Sequence, residues 1–258
     1  MSTVNIDKLL KVLKLMTQIM MESGAEAYRV ENTLDIIGKA FNEFEIDSSV
    51  TPTGAHITIA TENDGERTII RRIKNRSINL YKLNEVNTIS RMITNREINL
   101  DEALIKLKEL KSEVNIRKGK FYRTYEGIAA AFFTLLFKGG PIEFILAFLS
   151  GLIVQFISTK LGSTDAHKFF VGFFGSAIIS VFAIIATSII GKGDYNIIII
   201  GGIMPLLPGL AMTNAIRDTM SGDLLSGVVR GTEAILVATA LGAGAGIVLS
   251  LSFSIGII

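Results

Sequence analysis

Apolar residues recur at helical spacing at Leu9, Leu10, Leu13, Met16, Ile19 and Met20, which predicts an amphipathic helix over about residues 5–22. Ser23-Gly24 interrupts it, and Ser23 is placed to cap a second helix over about 25–42 that turns Val30, Leu34, Ile37 and Phe41 inward. The pattern then changes to strand character. Ile46–Thr51 and Ala55–Thr61 are β-rich and are divided by the turn sequence Pro52-Thr53-Gly54. Asn63-Asp64-Gly65 is a hairpin signal leading into Glu66–Ile73, and two further helices are expected near 81–94 and 100–114.

Beyond this region the pattern becomes almost continuously apolar. Five segments follow: Tyr125–Phe137, Ile142–Ile157, Phe169–Ile190, Ile197–Met212 and Ile235–Ile258. The third and fifth carry no charge over 22 and 24 residues, long enough to cross a bilayer, while the first is the shortest. Small residues recur every four positions at Gly172, Ser176 and Ser180, and again at Ala238, Gly242 and Gly246, spacings that let helices approach closely.

The charges divide the same way. Residues 1–123 hold 20 of the 26 Lys+Arg and 17 of the 24 Asp+Glu, leaving 6 and 7 for residues 124–258. The expected architecture is an α-helical multi-pass membrane protein: a cytosolic α+β domain over 1–118, then a domain of five transmembrane helices over 119–258. Arg117, Lys118, Lys120 and Arg123 precede the first span, Lys160 and Lys168 flank the second loop, and Arg217 and Arg230 border the fourth; the alternate loops hold only Lys138 and Lys192. This bias places the N-terminus in the cytosol and the C-terminus outside the cell membrane. The first residues lack the apolar core and cleavage site of a secretory signal, in agreement. A net charge of +2 without a basic-aromatic stripe argues against nucleic acid, and the absence of cysteine removes thiol chemistry and cysteine-ligated metal. No cofactor or metal is expected.

The most informative stretch is Met204–Arg230. Pro205 and Pro208 stand inside an apolar segment, where each removes a helix bond and should loosen the carbonyls of Gly201 and Met204. In lipid, irregular backbone persists only where protein buries it or a cavity wets it. Fresh helix-start amides near Gly209–Leu210 suit a carboxylate and loosened carbonyls suit an ammonium, so Pro205, Pro208 and Gly209 are candidate substrate-binding residues. Asn214, Arg217, Asp218 and Ser221 then share one helical face, and Asn214, Arg217 and Asp218 are candidates to orient the solute. An alternative places Arg217, Asp218, Asp223 and Arg230 in a cytosolic loop, pairing at the membrane edge. Asp218, Glu233 and Glu126 are candidates for proton coupling.

The polar half offers rival chemistry. Thr51 or Thr53 with His56 is the minimal nucleophile–base pair of a hydrolase, although a turn and a solvent-facing histidine explain the same residues. Glu26, Arg29 and Glu31 crowd the second helix, and Arg71, Arg72, Lys74 and Arg76 form a basic run suited to solvent or anionic headgroups.

The sequence resembles the threonine/serine exporter family, specifically the longer subunit of its two-component branch. The resemblance rests on GAEAYRVENTL at 24–34, TPTGAHITI at 51–59, RR at 71–72, FKGG at 137–140 and MPLLPGLAMTNAIRDTMSGDLLSGVVRGTEA at 204–234. It implies a multi-pass inner-membrane exporter of threonine, serine or a dicarboxylate such as succinate, rather than an enzyme. Single-chain members of the family carry about ten spans, so a chain with five implies a second small multi-pass membrane subunit. The family's hydrolase-like character would fall here on Thr51, Thr53 and His56, with Glu26. A membrane-tethered hydrolase and a regulatory subunit of a transporter are the alternative readings.

Overall fold

A computed structural model describes residues 5–41, 44–61, 65–74, 76–113, 124–161 and 165–258. The Asn63-Asp64 turn signal, the basic residues Arg117, Lys118, Lys120 and Arg123, and the side chains of Lys160 and Lys168 lie outside what is described. The chain forms two compact units: residues 1–115 with 213–231, and residues 116–212 with 232–258.

The first unit is α+β. Helix α1 (Ile6–Glu22) starts where the Asn5 side chain accepts from the Lys8 amide, and α2 spans Ala27–Ala40. Strands β1 (Glu45–Thr51), β2 (Gly54–Thr61) and β3 (Gly65–Arg72) pair antiparallel in that order. The β1–β2 turn is closed by the Thr51 hydroxyl, which donates to the Gly54 carbonyl at 3.0 Å and accepts from its amide at 3.2 Å. Helices α3 (Leu80–Thr94) and α4 (Leu100–Ser112) follow, the second opening with a reciprocal Asn99–Glu102 capping box. The strands alternate as period-2 geometry requires: Val50, Ala55, Ile57 and Ile59 face inward. They meet Leu9, Leu13, Met16, Leu34, Ile37, Ile93 and Leu107 in one core. Burying each such side chain contributes on the order of 2 kcal/mol.

One boundary departs from expectation. The backbone does not turn from Ser23 directly into a helix but passes through Gly24 in the left-handed region (φ +89°) and extends to Glu26 before α2 begins at Ala27. A Cβ at Gly24 would also stand 3.3 Å from the Ser77 carbonyl oxygen. Glu26, at the capping position, makes no side-chain bond to the helix start.

The second unit is helical. Helices α5 (Tyr125–Leu136), α6 (Pro141–Leu161), α7 (Asp165–Ile190) and α8 (Tyr195–Ile203) pack about Ala130, Ala147, Val154, Ile179, Ile198 and Ile199. A single 3-10 turn, Met204–Leu206, separates α8 from α9 (Gly209–Met220), and α10 runs from Leu224 to Ser254. By length and composition Phe169–Ile190 and Leu224–Ser254 are long enough to cross a membrane, and the bent α8–α9 pair makes a third span if counted as one. Among the described residues Tyr125–Leu136 and Pro141–Phe156 are shorter apolar helices, so two or three of the five expected spans are full-length candidates there. At 12 residues α5 is about 18 Å long, well short of a hydrocarbon core of about 30 Å.

Glycines set the tight contacts. Gly127 on α5 meets Gly151 on α6 so closely that a Cβ on Gly151 would stand 2.7 Å from the Gly127 Cα. Gly244 of α10 lies against the Phe173 carbonyl and Ser176 of α7, whereas Gly242 and Gly246 have nothing within 4 Å of an added Cβ. The packed face of α10 is therefore one residue pair away from the Gly242-x-x-x-Gly246 stripe that the spacing suggests.

Candidate functional site

The proline break is local and has an identifiable cause. A residue preceding proline is driven from helical to extended conformation, and Leu207, before Pro208, has φ −62° and ψ 137°. The axes of Tyr195–Leu206 and Gly209–Met220 diverge by 54°. The loosening expected at Met204 is partly repaired, since its carbonyl accepts from the Leu207 amide at 3.2 Å in the 3-10 turn. Gly201 and Gly202 anchor the segment before the break. A Cβ on Gly201 would run into Thr134 of α5, and one on Gly202 would reach Ser150 of α6 at 2.8 Å and Ile179 of α7 at 2.9 Å. Gly209, just past the break, faces open space.

The sequence-predicted residues divide between the two units. Pro205, Pro208 and Gly209 belong to the second, with Glu126 and Glu233; Asn214, Arg217 and Asp218 belong to the first. Glu126 is half-buried on α5, and the Gln155 amide of α6, with its nitrogen turned that way, donates to both carboxylate oxygens. Glu233 is half-buried on α10.

In the first unit, α9 and the start of α10 form a hairpin. Gly222 supplies the left-handed turn (φ +95°), and Gly227 admits the Thr219 side chain where a Cβ would clash. Four side chains of this hairpin, Asn214, Arg217, Asp218 and Arg230, converge on the Gly24–Ala27 segment. Asn214 Nδ2 donates to the Gly24 carbonyl at 3.1 Å, and Arg230 Nη2 donates to the Ala25 carbonyl at 2.6 Å. Asp218 Oδ1 accepts from the Ala27 amide at 3.1 Å. Asp218 thus supplies, from 191 positions away, the N-terminal cap that Ser23 and Glu26 do not, with a carboxylate at the positive end of α2.

Asp218 is fully buried and Arg230 is 7% exposed. Their Oδ2 and Nε atoms lie 3.0 Å apart, as an ion pair rather than an aligned hydrogen bond. Glu26, 6% exposed, is gripped from two sides, by Arg217 Nη1 at 2.9 Å and Arg29 Nε at 3.4 Å. Arg230 and the Glu26–Arg217 contact are the pieces that a single-helix reading of 214–221 misses; the i,i+3 spacing of Glu26 and Arg29 gave only the local half of that cluster.

Glu31 of α2 accepts from the Val50 amide at 2.7 Å. Burial raises its pKa, against that hydrogen bond, with Asp223, Asp218 and Asp47 adding to the rise. Burial also raises Asp223, whose Oδ2 has no hydrogen-bond partner among the described residues. His56 is exposed on the outer sheet face opposite Ser49 and Ile70, while Thr51 is engaged in its turn and Thr53 is exposed. Among the described residues no group of three or more His, Asp or Glu side chains is arranged to hold a metal.

Long apolar helices, one bent at a proline break, joined to a polar α+β unit, define a membrane protein with a built discontinuity. Residues 11–252 match the family described as "Putative threonine/serine exporter", and the chain belongs to that family. It is 24% identical over 242 residues to a "Probable threonine/serine exporter" of Mycobacterium tuberculosis, covering 91% of this chain and 45% of that one. It is 22% identical over 231 residues to a "Probable succinate transporter subunit YjjP" of Klebsiella aerogenes, covering 86% of this chain and 85% of the relative. The chain thus spans under half the length of the mycobacterial relative. No solved structure matches. These names point to transport rather than catalysis.

Proposed function

We propose that this chain is one subunit of a secondary exporter that moves a small hydrophilic metabolite (threonine, serine or a dicarboxylate such as succinate) across the cell membrane. The observation that carries the reading is the 54° break at Pro205–Gly209 within an apolar helix pair. The Gly209 amide and the Met204 carbonyl are already used within the break, so amides after Gly209 would be the ones to receive a carboxylate and carbonyls before Met204 an ammonium. The N-terminus is cytosolic and the C-terminus extracytoplasmic, following the distribution of basic residues. A second small membrane subunit completes the pathway; the relative of similar length is itself named a subunit, and the longer relative has over half its length outside the matched region.

Within this reading Pro205, Pro208 and Gly209 shape the solute site, and Asn214, Arg217 and Asp218 act on it through the helix they share. Their protein partners favour that role over direct contact with cargo, since Asp218 is committed to Ala27 and Arg230. Of the proton-coupling candidates, Glu126 faces the Gln155 amide, whereas Asp218 is committed to Ala27 and Arg230; Glu233 is the remaining one. The test is efflux of labelled threonine, serine and succinate from proteoliposomes holding this chain and its partner. Pro208→Ala should lower efflux of the transported solute at least tenfold; unchanged efflux of all three refutes the proposed site.

A further inference from the structure

Gln155 is only 4% exposed, a polar side chain sunk into the apolar helix α6. A buried amide is costly unless it is hydrogen-bonded, and here it meets the carboxylate of Glu126 at the start of α5. The backbone enforces that meeting. Gly151, one turn before Gln155, lies against Gly127, and a Cβ on it would stand 2.8 Å from the Glu126 carbonyl oxygen. The glycine contact keeps the two side chains within reach of each other while the amide remains able to turn about its last bond.

Two effects of opposite sign act on the charge of Glu126. The N-terminus of α5 favours a carboxylate there, and the apolar surroundings favour the acid. Among the described residues no Lys or Arg pairs with it. Other ionisable groups described on elements packed against α5 stand apart from it. Glu143 of α6 lies twelve residues before Gln155, roughly 18 Å along the helix, and accepts from the Gly140 and Asp194 amides. Tyr195 of α8 is two residues from Ile197, which meets Gly139 past the far end of α5. On α5 itself Tyr125 is exposed, and Lys138 follows the other end of the helix.

An amide carries both donor and acceptor. We infer that Gln155 is the positioning residue of a one-proton site at Glu126: ionised, Glu126 accepts from the amide nitrogen, and protonated, it donates its O–H to the amide oxygen. The proton is held on a Glu126 oxygen, no covalent bond other than that O–H forms or breaks, and the amide turns over between the two states. The pair stays hydrogen-bonded in both, so the carboxyl can change charge without leaving a buried polar group unpaired. Resting on the exporter reading, this makes Glu126 the carrier of the coupling proton and Gln155 the residue that sets the pH at which that proton is taken up and released.

Infrared titration of the purified full chain tests the site, read as the carboxyl band that the parent shows and Glu126→Gln lacks. In Gln155→Met, close to glutamine in shape, the acid form should persist to higher pH than in the parent by roughly half a unit or more, because the bond to the charged form is the stronger one lost. Gln155→Glu sets two carboxyls together and should split the single titration into two steps. The exchanged pair, Glu126→Gln with Gln155→Glu, restores one carboxyl beside one amide and should return a single step. Thermal melting should show each variant folded; if Gln155→Met is not, the split and its reversal in the other two decide the matter. Absence of a titrating band lost in Glu126→Gln overturns the inference, as does an unmoved midpoint in folded Gln155→Met or an unsplit titration in Gln155→Glu. In proteoliposomes holding this chain and its partner, the pH profile of efflux should move with the infrared midpoint in Gln155→Met. A profile that stays while the midpoint moves overturns the pair's role in coupling. If no solute is exported by the parent, the exporter reading falls and the infrared titration alone decides the proton site.

Discussion

Asp218 illustrates what a side chain can do that its own helix does not reveal. Fully buried, it caps α2 and faces Arg230, so removing it strands a cation in a nearly dry setting. Breaking a buried pair from one side typically costs about 3–5 kcal/mol, whereas replacing both members with apolar residues is often close to neutral. Asp218→Ala should therefore lower the thermal midpoint strongly, and Asp218→Leu combined with Arg230→Met should cost less than either alone. A double-mutant cycle read by unfolding in detergent checks this; additive losses would show that the two residues act separately. The GAEA segment and the charged face of 214–221 were both visible in the sequence, but their contact was not, because nothing local links positions 191 residues apart. Ser23 seemed the natural cap only while that distant carboxylate was out of sight.

Glu31 gives a prediction with a sign. Its pKa is raised in the folded protein, chiefly by burial, so between the unfolded carboxylate value and the raised one the native state holds more protons than the unfolded state. Stability contributed by this residue is then greatest below the unfolded value and falls as pH climbs to the folded one. Glu31→Gln keeps an oxygen for the Val50 amide and cannot ionise. Thermal melts from pH 4 to 8 should show the parent losing stability across this window relative to the variant, with Glu31→Gln the more stable at neutral pH. Parallel curves would contradict it.

At the scale of elements, periodicity located almost everything in the first unit. Expected helices at 5–22, 81–94 and 100–114 are observed at Ile6–Glu22, Leu80–Thr94 and Leu100–Ser112, because amphipathic spacing and Asn caps agree there. The apolar helices were harder to delimit. When every face is apolar, spacing no longer says which side packs, and only the fit of glycines to neighbours decides it. That fit yields a paired prediction. Gly201→Ala forces a methyl into Thr134 and should destabilise by about 1–3 kcal/mol, as overpacked cores do. Gly209→Ala meets open space, and any effect should come from helix propensity, in the stabilising direction, by under about 1 kcal/mol. Melting of the two variants in the same detergent separates them; equal midpoints would mean that α8 does not pack on α5 as described.

For the whole molecule, the division of the chain matters more than the number of spans. The first unit is not the N-terminal segment alone: Thr213–Gly231, which follows four apolar helices in sequence, completes it. An N-terminal fragment of residues 5–113 would leave the Ala27 amide without its cap and the Gly24 and Ala25 carbonyls without their donors. A lost cap costs about 1 kcal/mol, and each bond to a charged group roughly 1.5–3 kcal/mol. Joining residues 213–231 to that fragment through a flexible glycine-serine linker should then recover a few kcal/mol. For a domain of this size that is a rise of roughly 10 °C in the thermal midpoint. Most of the gain should be lost when the joined segment carries Asp218→Ala with Arg230→Ala, since the same helices remain but only the Asn214–Gly24 and Arg217–Glu26 contacts still hold them. A joined fragment that melts with the bare one would mean that the hairpin only rests on the α+β unit.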